Sequence, residues 1–123
     1  MSFSRNNEQG SIPIGYCALA YRARDDESTS PDLEKVVLIA DRSGDGELRI
    51  RVQPNWRKIV AVEDQSLMRE LFEDFADRAR MDPESLLKQI SALSVGQIVT
   101  HDAGNDLSMR PDLQALSYTF ESI

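Results

Sequence analysis

The chain has 123 residues, 41% of them hydrophobic and 28% charged, with a formal net charge of −7. That length suits one domain with one ordinary core, and the composition is too apolar for a disordered segment. It also excludes a transmembrane helix: apolar runs such as VVLIA at 36–40 fall far short of the roughly 20 residues a bilayer needs.

The charge is unevenly spread. Residues 1–62 carry nine basic and nine acidic side chains, whereas residues 63–123 carry five basic and twelve acidic, so the second half holds the whole excess. Such asymmetry speaks to partners and solubility rather than fold. It disfavours nucleic acid, whose phosphates want a basic surface, and favours a basic protein partner. The first ten residues, MSFSRNNEQG, lack the apolar stretch of a secretory signal peptide, which sets the expectation of a cytoplasmic protein. Cys17 is the only cysteine and lies among apolar neighbours in GYCALAY, so it reads as a small buried hydrophobe rather than a nucleophile.

In chain order, residues 1–11 are expected to be a flexible N-terminal segment, followed by a single α+β domain over 12–123. Residues 12–24 are apolar on both faces until Arg22 and predict a covered strand. The polar run DDESTSPD, 25–32, predicts a loop, and LEKVVLIADR, 33–42, a second two-faced strand. In ELRIRVQ, 47–53, Leu48, Ile50 and Val52 alternate with Glu47, Arg49 and Arg51, which predicts a strand with one wet face. After the turn at Pro54-Asn55, WRKIVAV reads as a fourth strand, because Ile59, Val60 and Val62 disfavour a helix.

The clearest helix is 64–80, where Leu67, Met68, Leu71, Phe72, Phe75 and Ala79 recur at helical spacing and Asp64 or Ser66 is placed to cap. A second helix follows Asp82, with Pro83 at its first position and Gly96 as its stop. Residues 97–100 predict a short strand, HDAGND at 101–106 a turn, and 113–123 a terminal strand, with a short helix opened by Pro111 as the alternative. The fold class is therefore α+β: an antiparallel β-meander of about five or six strands with a two-helix pair on one face, in the order β-β-β-β-α-α-β-β.

Three stretches carry candidate chemistry. In DRSGDGELRIRV, Asp41, Ser43 and Asp45 fall where a calcium loop places ligands, but the twelfth position is Val52 and the ninth Arg49, so an EF-hand fails. A smaller cation site of Asp41, Ser43 and Asp45 is left, against the plainer reading of a hairpin turn. That hairpin pairs Arg42 with Glu47 and Ile39 with Ile50, or, if the turn centres on Asp45-Gly46, Ile50 with Asp41. The second stretch is His101 with Asp102 and Asp106, a candidate catalytic or metal group that is also ordinary turn composition. The third is the basic hairpin Arg49, Arg51, Trp56 and Lys58, whose functional reading is a nucleic-acid grip and whose structural reading is a solvated sheet face.

Opposite it in sign stand Glu70, Glu73, Asp74 and Asp77 on the first helix, a docking surface for a basic partner or simply a wet helix face. No cofactor motif is present: the chain has no GxGxxG, P-loop, GxSxG or HExxH. The expectation is thus a small acidic non-enzymatic binding or regulatory module acting through protein–protein contacts. A homodimer fits it best, with a second subunit covering the sheet face the helices leave open. The alternatives are an enzyme or metal site at His101, Asp102 and Asp106, and nucleic-acid binding at the basic hairpin.

Overall fold

A six-stranded, wholly antiparallel sheet organises the molecule, in the spatial order β4-β5-β1-β2-β3-β6. The computed structural model describes residues 14–23, 32–42 and 46–123. The expected N-terminal segment 1–11, most of the 25–32 loop, and Ser43 to Asp45 lie outside the described residues. The strands are β1 (Tyr16–Tyr21), β2 (Val36–Arg42), β3 (Leu48–Val52), β4 (Ser94–Val95), β5 (Ile98–Gly104) and β6 (Glu121–Ser122). The helices are α1 (Trp56–Ile59), α2 (Gln65–Met81), α3 (Pro83–Ser91) and α4 (Pro111–Ser117), with 3₁₀ turns η1 (Leu33–Lys35), η2 (Val62–Asp64) and η3 (Leu107–Met109).

β1 is central, and all six of its residues are buried. Its side chains alternate between two cores. Cys17, Leu19 and Tyr21 join Leu38, Ala40, Ile50 and Val52 on a first face, beneath Met68, Phe72 and Phe75 of α2 and Leu86, Leu87 and Ile90 of α3. Tyr16, Ala18 and Ala20 join Val36 and Ile39 on a second face, beneath Leu107, Leu113 and Phe120. This is why the strands are apolar on both sides.

The two long helices form as their periodicity predicts. α3 begins with Pro83 at its first position and with Asp82 accepting from the Ser85 amide at 3.2 Å. At the start of α2, Asp64 makes no cap bond. Its carboxylate instead accepts the Tyr21 hydroxyl at 2.5 Å, which ties the helix start to β1.

Several expectations are corrected. Residues 56–62 are not a strand: Trp56–Ile59 make one helical turn, followed by η2. Burial of Trp56 edge-on against Phe72, ring centroids 5.3 Å apart, outweighs the β-branched bias of the segment. Gly96 does not end α3, which stops at Ser91; its φ of 58° instead serves the two-residue turn joining Val95 to Ile98. His101–Gly104 are strand rather than turn, because β5 runs on to pair with β1 as far as Tyr16↔Gly104. Residues 111–117 are helical, and only Glu121–Ser122 pair as a terminal strand. The element order is accordingly β-β-β-α-α-α-β-β-α-β. The meander holds for β1-β2-β3 alone, since β5 returns to the other side of β1.

The hairpin register differs from both versions foreseen. Ala40 faces Ile50, Asp41 faces Arg49 and Arg42 faces Leu48, one residue away from either alternative. A one-residue shift exchanges faces between the strands: Ile50 lies beside Ala40 in the first core and not, as expected, beside Ile39, which is in the second; Leu48, Ile50 and Val52 still share one face. The helix pair does pack on one face, but the opposite face is not open. η3, α4 and Phe120 cover it, which removes the argument that motivated a second subunit.

Candidate functional site: a charged cleft on the second face

The cover on the second face is incomplete. Between the sheet and α4 lies a cleft of about 630 Å³, against about 510 and 300 Å³ for two other clefts. Asp41 of β2 and Arg49 and Arg51 of β3 contribute from the sheet; Ser108, Gln114, Ser117 and Tyr118 contribute from η3 and the α4 region. Alternation explains the floor. Once Leu48, Ile50 and Val52 enter the first core, Arg49 and Arg51 must face the second side.

Arg51 is half-buried and anchored. Its Nη1 donates to Ser117 Oγ at 3.1 Å and to the Ser117 carbonyl at 3.4 Å. Its guanidinium lies 5.9 Å from the Tyr118 ring centroid, a cation–π distance. Ser117 is fully buried and donates in turn to the Gln114 carbonyl at 2.7 Å, so α4 holds Arg51 in place.

Arg49 is exposed and enters no ion pair among the described residues. Asp41, directly opposite it in the ladder, has a buried Oδ1 with no hydrogen-bond partner among the described residues. A buried oxygen left without a donor costs about 1–3 kcal/mol, so this one calls for an explanation. At the rim, the Asp106 carboxylate accepts from the Ser108 hydroxyl at 2.8 Å and its amide at 3.0 Å. Those bonds hold its carboxyl below the usual carboxylate range. Gly15 packs against the Asn105 carbonyl so closely that a Cβ there would collide with it.

The His101, Asp102 and Asp106 group is drawn apart into other tasks. His101 is the extra residue of a β-bulge, since Ala18 pairs with Asp102 and Leu19 with Thr100. Its Nδ1 is buried without a partner. Asp102 accepts the Tyr16 hydroxyl at 2.6 Å and pairs with Arg110, which also grips Asp112 through Nε at 3.2 Å and Nη2 at 3.1 Å. The Arg110 bond lowers the Asp112 carboxyl. This tie fastens the start of α4 to β5 and β1. Burial first, and the Asp102 bond second, push the Tyr16 hydroxyl up to about 12.

Cys17 is fully buried beside the Leu87 carbonyl, 3.3 Å from Sγ, and burial raises its thiol to about 12, far from a thiolate at neutral pH. Among the described residues, no three His, Cys, Asp or Glu side chains come together to hold a metal ion. Asp41 belongs to the cleft, while Ser43 and Asp45, its companions in the cation loop, lie outside the described residues.

The basic hairpin divides in the same way. Arg49 and Arg51 face the cleft, Lys58 is exposed on α1, and Trp56 is only 8% exposed on the opposite face, so its ring is not offered to a base. Arg57 covers it, 5.0 Å from the ring centroid. Glu70, Glu73, Asp74 and Asp77 are all exposed on α2, on the far side of the sheet from the cleft. There Asp74 pairs with Arg78 at 3.0 Å, as helical spacing predicts.

Ser117, Gln114 and Tyr118 went unrecognised in the sequence because their segment resembles a strand. The available signal was Pro111 followed by Leu113, Leu116 and Ser117 at helical spacing. No family model, curated protein or solved structure matches this chain.

Proposed function

We propose that the protein is a non-enzymatic binding module and that the cleft on the second sheet face is its recognition site. One observation carries this reading: Asp41 and Arg49 face each other across the ladder in a cleft open to solvent, and among the described residues neither enters an ion pair and the buried Asp41 Oδ1 has no donor. Folding alone gains nothing from that arrangement, whereas a ligand with complementary charge would satisfy both groups. The acidic face of α2 has weaker support, since its side chains are exposed and one of them is already paired. The enzyme alternative is also weaker, because Asp102 and Asp106 are engaged in holding α4 and η3. Nucleic acid lacks the stacking ring the basic hairpin was expected to supply.

The test is a titration of ¹⁵N-labelled protein with short peptides of acidic, basic and mixed charge and with small charged molecules. Saturable shifts at the amides of Asp41, Arg49, Arg51 and Ser117 are expected, weakened by salt and lost in Arg49→Glu. Shifts confined to the outer face of α2, or none at all, would overturn the assignment.

A further inference from the structure

The idle groups in the cleft specify a ligand. Asp41 and Arg49 are cross-strand partners, so their Cβ atoms stand about 5 Å apart. Opposite charges so placed ordinarily pair, yet neither enters an ion pair among the described residues. An acceptor and a cationic fork are thus held side by side and left unused. The lining also contains Asp106, which with Asp41 opposes a bare anion, while Arg42, Arg49 and Arg51 oppose a bare cation. What fits is a molecule carrying both charges close together. Residues inside a polypeptide have lost both backbone charges, and either chain end keeps one of them. A free amino acid keeps both, and the cleft volume lies within the range of small-ligand sites.

We propose that the cleft binds a free α-amino acid as its zwitterion, with the ammonium donating to the Asp41 carboxylate and the α-carboxylate held by the Arg49 guanidinium. This rests on the cleft being the recognition site. Arg51 adds selectivity. Only its Nη1 is engaged with Ser117, so the rest of its fork is available to a side-chain carboxylate. Acidic amino acids therefore bind best, neutral ones less well and lysine least.

Calorimetry on the full chain tests this with L-glutamate, L-alanine, L-lysine, N-acetyl-L-glutamate and the α-amide of glutamate. Blocking either the ammonium or the α-carboxylate is expected to weaken binding roughly tenfold or more, the scale of one hydrogen bond to a charged group. Asp41→Asn is expected to weaken glutamate by a similar factor and to leave N-acetyl-glutamate unchanged. Arg49→Gln is expected to do the same for glutamate against its α-amide. Ligand blocking needs no mutant, so the test survives a variant that folds poorly. If N-acetyl-glutamate binds as tightly as glutamate, Asp41 does not read the ammonium and the proposal is overturned. If no amino acid binds at millimolar concentration while charged peptides still shift the cleft amides, the zwitterion is wrong and the recognition site stands. If neither kind of probe perturbs the cleft, both fall.

Discussion

The two faces of the sheet are built to different standards. The first is covered by two long helices and the turn bearing Trp56 over a core that includes Tyr21 and Ile50, with a smaller cleft of about 510 Å³ between β3 and α2. The second is closed by a 3₁₀ turn, a two-turn helix and Phe120, and where that cover stops the charges of β2 and β3 are exposed to a cleft. The first face supplies apolar area and hence stability. The second has polar groups that no other described residue satisfies, which supports the proposed recognition site.

The largest expected contrast is in core truncation. Phe75→Ala beneath α2 should cost about 3–5 kcal/mol, and Leu113→Ala on the second face about 2–3 kcal/mol, read from urea midpoints. A larger loss at Leu113 would reverse the ranking of the faces. Alkaline pH probes both faces through adjacent residues. The fold raises Cys17 from 9.0 and Tyr16 from 10.0 to about 12 each, favouring their neutral forms. That stability is complete below the unfolded values and is lost as pH climbs toward 12, beginning near 9 for the thiol and near 10 for the phenol. For Cys17 the loss is on the order of 4 kcal/mol. Cys17→Ala should flatten the decline from its start and Tyr16→Phe only its upper part. A stability that stays level from pH 8 to 12 would contradict both assignments.

Arg110→Ala should cost about 1–2 kcal/mol by leaving Asp102 half-buried without its cation. Adding Asp102→Asn should recover part of that loss, whereas strict additivity would mean the tie contributes nothing. The smallest effect carries the opposite sign. Asp41→Asn should raise stability by up to about 1 kcal/mol while weakening binding, as happens where a site is maintained against stability. A fall in melting temperature would make Asp41 a structural residue and erase the contrast between the faces.

Much of the first face was legible in the sequence. Periodicity from Leu67 to Ala79 and alternation from Leu48 to Val52 each express one buried side, which a linear pattern records well. The second face was harder because its parts are short and depend on tertiary pairing. His101–Gly104 have turn composition, yet small residues suit this position, since Tyr16 lies across Gly104 and would meet a Cβ at 2.8 Å. WRKI looks like a strand until Trp56 finds Phe72. The arginines of the cleft were readable from alternation, whereas Asp41 gave only a resemblance to a calcium loop. Its partner in the structure, Arg49, depends on a register that charge matching missed by one residue.

The placement of β1 sets one close pairing beside one distant one. Its neighbour β2 follows closely, but its other neighbour β5 pairs Tyr16 with Gly104, across most of the chain. Contacts between such distant residues form late, because the intervening loop must close before they are rewarded. The cleft needs segments from Gly15 to Tyr118 brought together, so it exists only once that distant pairing is made.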